Sequence, residues 1–156
     1  MNESKLDVKK RAVIEIAENL FLSQGLATTE MKEIARCASI SRSTLYRMFD
    51  SRETLAFAVA DKCLHELFDP KPMEIYGTDR SGFEILRSYS SNLIETMIQG
   101  VRYVKYLSEF DQMFSGDYPD TPEARKYVQF NRQRHDRQIL LNILRLGTED
   151  GSIRGD

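Results

Sequence analysis

The sequence predicts an all-α protein, and three observations carry that prediction. No segment alternates β-branched and polar residues between turn signals, as a half-buried strand would. Apolar residues recur instead at helical spacing, first at Ala12, Val13, Ile16, Ala17, Leu20 and Phe21. Glycines, prolines and hydroxyl or acidic caps then punctuate the chain at helix-length intervals. Its 156 residues are 41% hydrophobic and 29% charged, enough apolar material for a buried core without staples. No apolar run approaches the ~18 residues of a membrane span, and the N-terminus lacks the apolar centre of a signal peptide. A cytoplasmic protein with no membrane partner is expected.

The first helix covers about 7–24 and stops at Gly25, which accepts a left-handed backbone cheaply. Thr28-Thr29-Glu30 reads as a hydroxyl cap with an acid in the first turn of a second helix seating Met31, Ile34, Ala35 and Ala38. Ser41 caps a short third helix. Asp50 or Ser51 caps a fourth, with Asp50-x-x-Glu53 spaced as a capping box, and it runs through Leu55, Val59, Cys63 and Leu67. Asp69-Pro-Lys-Pro72 breaks it. The loop to Gly82 is the best domain boundary, dividing the chain into 1–68 and 69–156.

Beyond the boundary, a helix over about 83–99 aligns Leu86, Tyr89, Leu93 and Met97 and ends at Gly100. Another, about 101–114, repeats Tyr103, Leu107, Phe110 and Phe114. After SGDYPD, Thr121-Pro122-Glu123 places proline at the first helical position. The last helix runs to about Leu146 and stops at Gly147. Cys37 and Cys63 have neither a metal nor a CxxC spacing and read as small buried hydrophobes. No metal or cofactor is expected. Without a glycine-rich phosphate loop, a zinc spacing or an evident nucleophile–histidine pairing, an enzyme is not expected either.

The helices at about 29–38 and 42–49, joined by Ala38-Ser-Ile-Ser41, have the lengths and spacing of a helix-turn-helix, whose second helix enters the DNA major groove. Leu45, Met48 and Phe49 would anchor that helix, leaving Arg42, Ser43, Thr44, Tyr46 and Arg47 for DNA. Arginine pairs bidentately with guanine, while hydroxyls and helix N-terminal amides suit phosphate. Arg52 adds a guanidinium at the start of the fourth helix, beside amides that favour an anion. The net charge is −2, yet residues 36–52 hold four arginines against one acid, Asp50. The competing reading is a helical hairpin whose polar side faces water, although such a side normally mixes Glu and Lys rather than clustering Ser, Thr and Tyr.

Residues 11–67 resemble the DNA-binding domain of the TetR family of transcriptional regulators. The resemblance rests on Ala17, Phe21, Gly25, Thr28-Thr29, Ile34-Ala35, Ala38, Ile40-Ser41, Thr44-Leu45-Tyr46, Phe49, Ser51-Arg52-Glu53 and Leu55. Two positions depart from the family pattern: Ser39 stands where the turn usually has glycine, and Arg52 where the fourth helix usually has lysine. The resemblance implies phosphate contacts from Thr29, Ser41, Thr44, Tyr46 and Arg52, with Arg42, Ser43 and Arg47 nearest the base edges. It implies a dimeric, ligand-responsive repressor on a pseudo-palindromic double-stranded operator. The alternative is a helical adaptor or sensor that has lost DNA binding.

In the second half the resemblance covers architecture only: a short helical ligand-binding and dimerisation domain that lacks the family's last two helices, as in a truncated form. Leu86, Tyr89, Leu93, Met97, Tyr103, Phe110, Phe130, Asn131 and His135 are the candidate lining of a pocket for a small apolar or aromatic effector. An ordinary packed core is the competing reading for each. The polar run QFNRQRHDRQ, with Asn131 and His135, interrupts an apolar seam and is expected to overhang solvent, as is His65.

Overall fold

The computed structural model describes residues 5–68, 79–115, 118–133 and 136–155. Among them are eight helices: α1 (Lys5–Gln24), α2 (Met31–Cys37), α3 (Arg42–Met48), α4 (Arg52–Phe68), α5 (Gly82–Gln99), α6 (Val101–Met113), α7 (Pro122–Gln133) and α8 (Asp136–Glu149). No strand occurs among the described residues, and the all-α fold follows the apolar periodicity. The expected boundary loop, 69–78, lies outside the described residues, as do Gly116, Asp117 and His135. No described helix is long and apolar enough to cross a membrane.

One buried cluster holds most of the fold. Phe21 from α1, Ile34 from α2, Leu45 from α3, Phe57 and Val59 from α4, Phe110 from α6 and Tyr127 from α7 all belong to it. Helix α4 is its axis, with Leu55, Ala56, Phe57, Val59, Ala60 and Cys63 at zero exposure. Such a helix, apolar nearly all round, must be surrounded, and α1, α6 and α7 surround it. The Phe57 ring meets Phe110, Phe114, Tyr118 and Tyr127 at centroid distances of 4.8–5.7 Å, mostly edge-on. Glu18, buried on α1, pairs with Lys62 on α4. A second, smaller cluster joins Ile85 of α5 to Ile143 of α8.

Several caps differ from the sequence reading. The hydroxyls of Thr28 and Thr29 do not start α2: they donate back to the Gln24 and Gly25 carbonyls and so close the end of α1. The N-cap of α2 is Glu30, whose side chain makes no capping bond. At α4 the cap is Ser51, which accepts from the Thr54 amide at 3.1 Å, so the Asp50–Glu53 box is not the device used. The box that forms is Ser81–Glu84 at α5. The Thr121 hydroxyl caps α7 ahead of Pro122, as expected.

Two glycines end their helices as predicted, Gly25 with φ +97 and Gly100. Gly147 does not. Helix α8 runs through it to Glu149, and the left-handed residue beyond the end is Gly151, φ +75. Gly147 is a packing residue instead: a Cβ on Gly82 would lie 2.2 Å from its amide nitrogen. Of the cysteines, Cys63 is buried but Cys37 is exposed, on the outer side of α2.

Candidate nucleic-acid interface

Helix α3 divides sharply by burial. Leu45, Met48 and Phe49 face the core, while Arg42, Ser43, Tyr46 and Arg47 are exposed and Thr44 is half-buried. The Ser41 hydroxyl accepts from the Thr44 amide at 3.1 Å and shares hydrogen bonds with the Ser43 and Thr44 hydroxyls at 2.9 and 2.8 Å. This network caps the helix and holds three hydroxyls together at its N-terminal end. Two guanidiniums, a phenol and these hydroxyls thus share one exposed surface. Among the acids near it, Glu30 is held below the usual carboxylate range by the hydrogen bond and charge of Lys32, with a smaller effect of Arg42.

The preceding turn sets the direction of α3. Ser39 adopts φ +52, and the Ile40 amide reaches the Ala35 carbonyl at 3.0 Å while the Ser39 amide reaches Arg36 at 3.1 Å. These are the two bonds of a Schellman ending, with serine in the position that favours glycine. The turn geometry is kept, at a conformational cost of about 1 kcal/mol.

The structure corrects one predicted contact. Thr29 is wholly buried and its hydroxyl donates to the Gly25 carbonyl at 2.8 Å, so its side chain is not presented to a phosphate. Thr28, one residue earlier, is exposed. Arg52 is half-buried at the start of α4, and its Nη1 donates to the Ala27 carbonyl at 3.1 Å, which pins it beside the α1–α2 turn.

The predicted pocket residues do not converge on one cavity. Leu86 and Tyr89 pack against Ile85 and Ile143 in the α5–α8 cluster, because α5 lies on α8 more than on α6. Leu93 is half-buried on the same helix. Phe110 is at zero exposure in the main core, and Tyr103 packs against that core. Phe130 stacks on His65 at 3.8 Å, so His65 is half-exposed with one ring face covered. Met97 of α5 and Asn131 of α7 do line one open groove of about 660 Å³, to which Leu64, Leu67, Leu107, Asp111 and Tyr127 of α4, α6 and α7 also contribute. Asn131 is exposed there. Among the described residues, no group of three or more His, Cys, Asp or Glu side chains could hold a metal.

Residues 13–59 match the family model for bacterial regulatory proteins of the tetR family. The chain is 28% identical over 152 residues to the HTH-type transcriptional repressor KstR2 of Rhodococcus jostii, an alignment covering 95% of this chain and 69% of that protein. The identity rises to 50% over 46 residues with an uncharacterized HTH-type transcriptional regulator of Mycobacterium tuberculosis, 30% of this chain and 23% of that one. The crystal structure of PfmR, a TetR-family transcriptional regulator from Thermus thermophilus, superimposes with a TM-score of 0.66 at 21% identity, covering 92% of this chain and 74% of that one. Residues 13–59 thus carry the DNA-binding domain of the TetR family. The fold is shared as well with FadR of Thermus thermophilus, a TetR-family repressor solved with lauroyl-CoA, at a TM-score of 0.53 and 23% identity over 94% of this chain and 71% of that one. With that domain and those relatives, the chain is a DNA-binding transcriptional regulator.

The residues that tie this TetR-type helix-turn-helix to the later helices carry no signal in the sequence. Tyr106 of α6 donates to the Ala56 carbonyl of α4 at 2.9 Å, and burial pushes its phenol well above the usual range. Glu109 of α6 accepts from the Ala27 amide at 3.2 Å. Lys10 of α1 lies 5.4 Å from the Phe49 ring centroid and 3.8 Å from Glu123 of α7. Each pair is distant in sequence and carries no local spacing signal.

Proposed function

We propose that the chain acts as a dimeric, ligand-responsive repressor that reads a pseudo-palindromic operator with α3. The observation that carries this reading is the division of α3 into a buried Leu45–Met48–Phe49 side and an exposed side of Arg42, Ser43, Tyr46 and Arg47. Arg47, Arg42 and Ser43 approach base edges in the major groove. Ser41, Thr44, Tyr46 and Arg52 bond phosphates and set the register. Two copies would place their third helices in successive major grooves, ~34–36 Å apart. Residues 1–68 form the DNA-binding unit and 69–156 the regulatory one.

The groove between α4, α6 and α7 is the proposed effector site. Its lining is mostly apolar, with Asp111 and Asn131 as polar anchors, which suits a small apolar molecule with one polar group. The lauroyl-CoA bound by FadR, a protein of the same fold, shares with such a molecule only its apolar acyl chain. An occupant that favours a different α4 position would alter the spacing of the two α3 helices and weaken operator binding; couplings of this kind are typically ~1–3 kcal/mol.

The test is fluorescence anisotropy on DNA from upstream of the chain's own gene, at two salt concentrations, for wild type, Arg47→Ala, Arg52→Ala and Tyr46→Ala/Arg47→Ala. Salt-sensitive binding lost in the double variant is expected. Arg47→Ala should change sequence preference by about 1–3 kcal/mol at one position, while Arg52→Ala weakens all sequences evenly and lowers the salt slope by about one. Weak binding, equal in wild type and the double variant, would overturn the reading in favour of an adaptor.

A further inference from the structure

We propose that Glu109 positions Arg52 for DNA through the backbone of Ala27, so that α6 tunes a phosphate contact from the far side of the α1–α2 turn. This deepens the preceding proposal and rests on the phosphate role assigned there to Arg52. The geometry is a clamp on one residue. The Ala27 N–H donates to Glu109 Oε1 at 3.2 Å, and the Ala27 carbonyl accepts from Arg52 Nη1 at 3.1 Å. Ala27 is exposed, so these bonds rather than side-chain packing hold it on its two polar sides.

The turn around Ala27 has little freedom of its own. Gly25 sits at φ +97, and a Cβ there would stand 3.6 and 3.9 Å from the two carboxylate oxygens of Glu109, which therefore lies against the turn. The hydroxyls of Thr28 and Thr29 tie the following residues back to the end of α1. A carboxylate acceptor makes a stronger bond to an amide than a neutral one does. With Ala27 fixed by Glu109, its carbonyl holds one N–H of Arg52 and leaves the remaining guanidinium donors for a phosphate. An arginine ordered in advance loses less rotamer freedom on binding.

The other end of this connection faces the groove. Ser108, adjacent to Glu109, and Asp111, two residues on, both line it. An occupant that shifts α6 draws Glu109 from Ala27 and releases Arg52. This path runs beside the packed α6–α4 contact at Tyr106 and reaches the DNA surface through three side-chain and backbone groups.

The test measures DNA affinity across a salt series for the full chain carrying Glu109→Ala, Glu109→Gln, Arg52→Ala and Glu109→Ala/Arg52→Ala, with thermal unfolding in parallel. Glu109→Ala is expected to weaken binding three- to tenfold and lower the salt slope toward that of Arg52→Ala. Glu109→Gln, whose amide oxygen still accepts, stays within twofold of wild type. In the Arg52→Ala background, Glu109→Ala adds nothing. Should Glu109→Ala fail to fold, Glu109→Asp, one methylene too short to reach Ala27, is expected to show the same loss. The proposal is overturned if Glu109→Ala and Glu109→Asp bind like wild type, or if Glu109→Ala weakens the Arg52→Ala protein by the same factor as it weakens wild type. If Arg52→Ala alone changes neither affinity nor salt slope, the phosphate role of Arg52 fails and the positioning role falls with it.

Discussion

Gly82 and Gly147 meet backbone to backbone. A Cβ on Gly82 would fall 2.2 Å from the Gly147 amide nitrogen and 2.3 Å from its Cα, and Gly147 in turn has the Ile153 side chain over it. Neither backbone can step aside without parting α5 from α8. Overpacking a tight site typically costs 1–3 kcal/mol. Gly82→Ala is therefore expected to destabilise by about 2–3 kcal/mol in urea unfolding. Gly151→Ala, where nothing lies within 4 Å but φ is +75, should cost only about 1 kcal/mol. Equal costs at the two sites would refute the close-approach account.

Ser39 gives a prediction of opposite sign. It holds φ +52, and its side chain is exposed. Ser39→Gly relieves the left-handed strain while enlarging the unfolded ensemble, so a net gain of about 0.5–1 kcal/mol is expected. The α3 direction should not change, because the Ile40–Ala35 bond already closes the turn. A lower urea midpoint for Ser39→Gly would show that the strain is offset by a contact of the serine.

These two positions also show where sequence reading succeeds and where it stops. The apolar periodicity of α1 and α4 and the core side of α3 were legible, since helix spacing is a local property and the core must be apolar. Gly25, Gly100 and Gly147 look alike in the sequence, yet Gly147 serves a neighbour 65 residues away. Thr28 and Thr29 precede a helix and follow one, and a hydroxyl can serve either end. Cys37 lies within a helical pattern but on its outer side. The placement of Leu86 and Tyr89 was hidden for a related reason: periodicity says that they share a face, but not that α8 rather than α6 covers it.

Glu18 is 5% exposed, and its Lys62 partner is about one-third exposed. Partial burial works against the charge on Lys62, but the hydrogen bond and charge of Glu18 more than offset this and raise its pKa. Removing one partner of a buried pair strands the other charge, whereas replacing both with apolar groups is often near neutral. Allowing for solvent screening at Lys62, Lys62→Ala is expected to cost about 1–3 kcal/mol. Glu18→Leu/Lys62→Leu should return to within about 1 kcal/mol of wild type. A double variant worse than Lys62→Ala would mean that the pair orients α1 on α4 in a way packing cannot replace.

Cys63 and Cys37 should differ in reactivity and in their effect on alkaline stability. Burial is the main cause that pushes the Cys63 thiol from 9.0 up to about 12, with the Glu18 charge adding to it. The thiolate is the reactive form, so a disulfide reagent at pH 8 should label exposed Cys37 at once and reach Cys63 only on unfolding. The same shift links to stability. Between pH 9 and 12 the unfolded chain releases the Cys63 proton while the folded chain keeps it, so stability falls as pH rises, by up to about 1.4 kcal/mol per unit. Below pH 9 both states are protonated and Cys63 contributes no slope. Raised Lys62 acts in the same direction at higher pH, so Cys63→Ala should flatten the alkaline decline without abolishing it. Two thiols labelled at one rate in the native protein, or an unchanged alkaline slope in Cys63→Ala, would place Cys63 in contact with solvent and contradict its packing in α4.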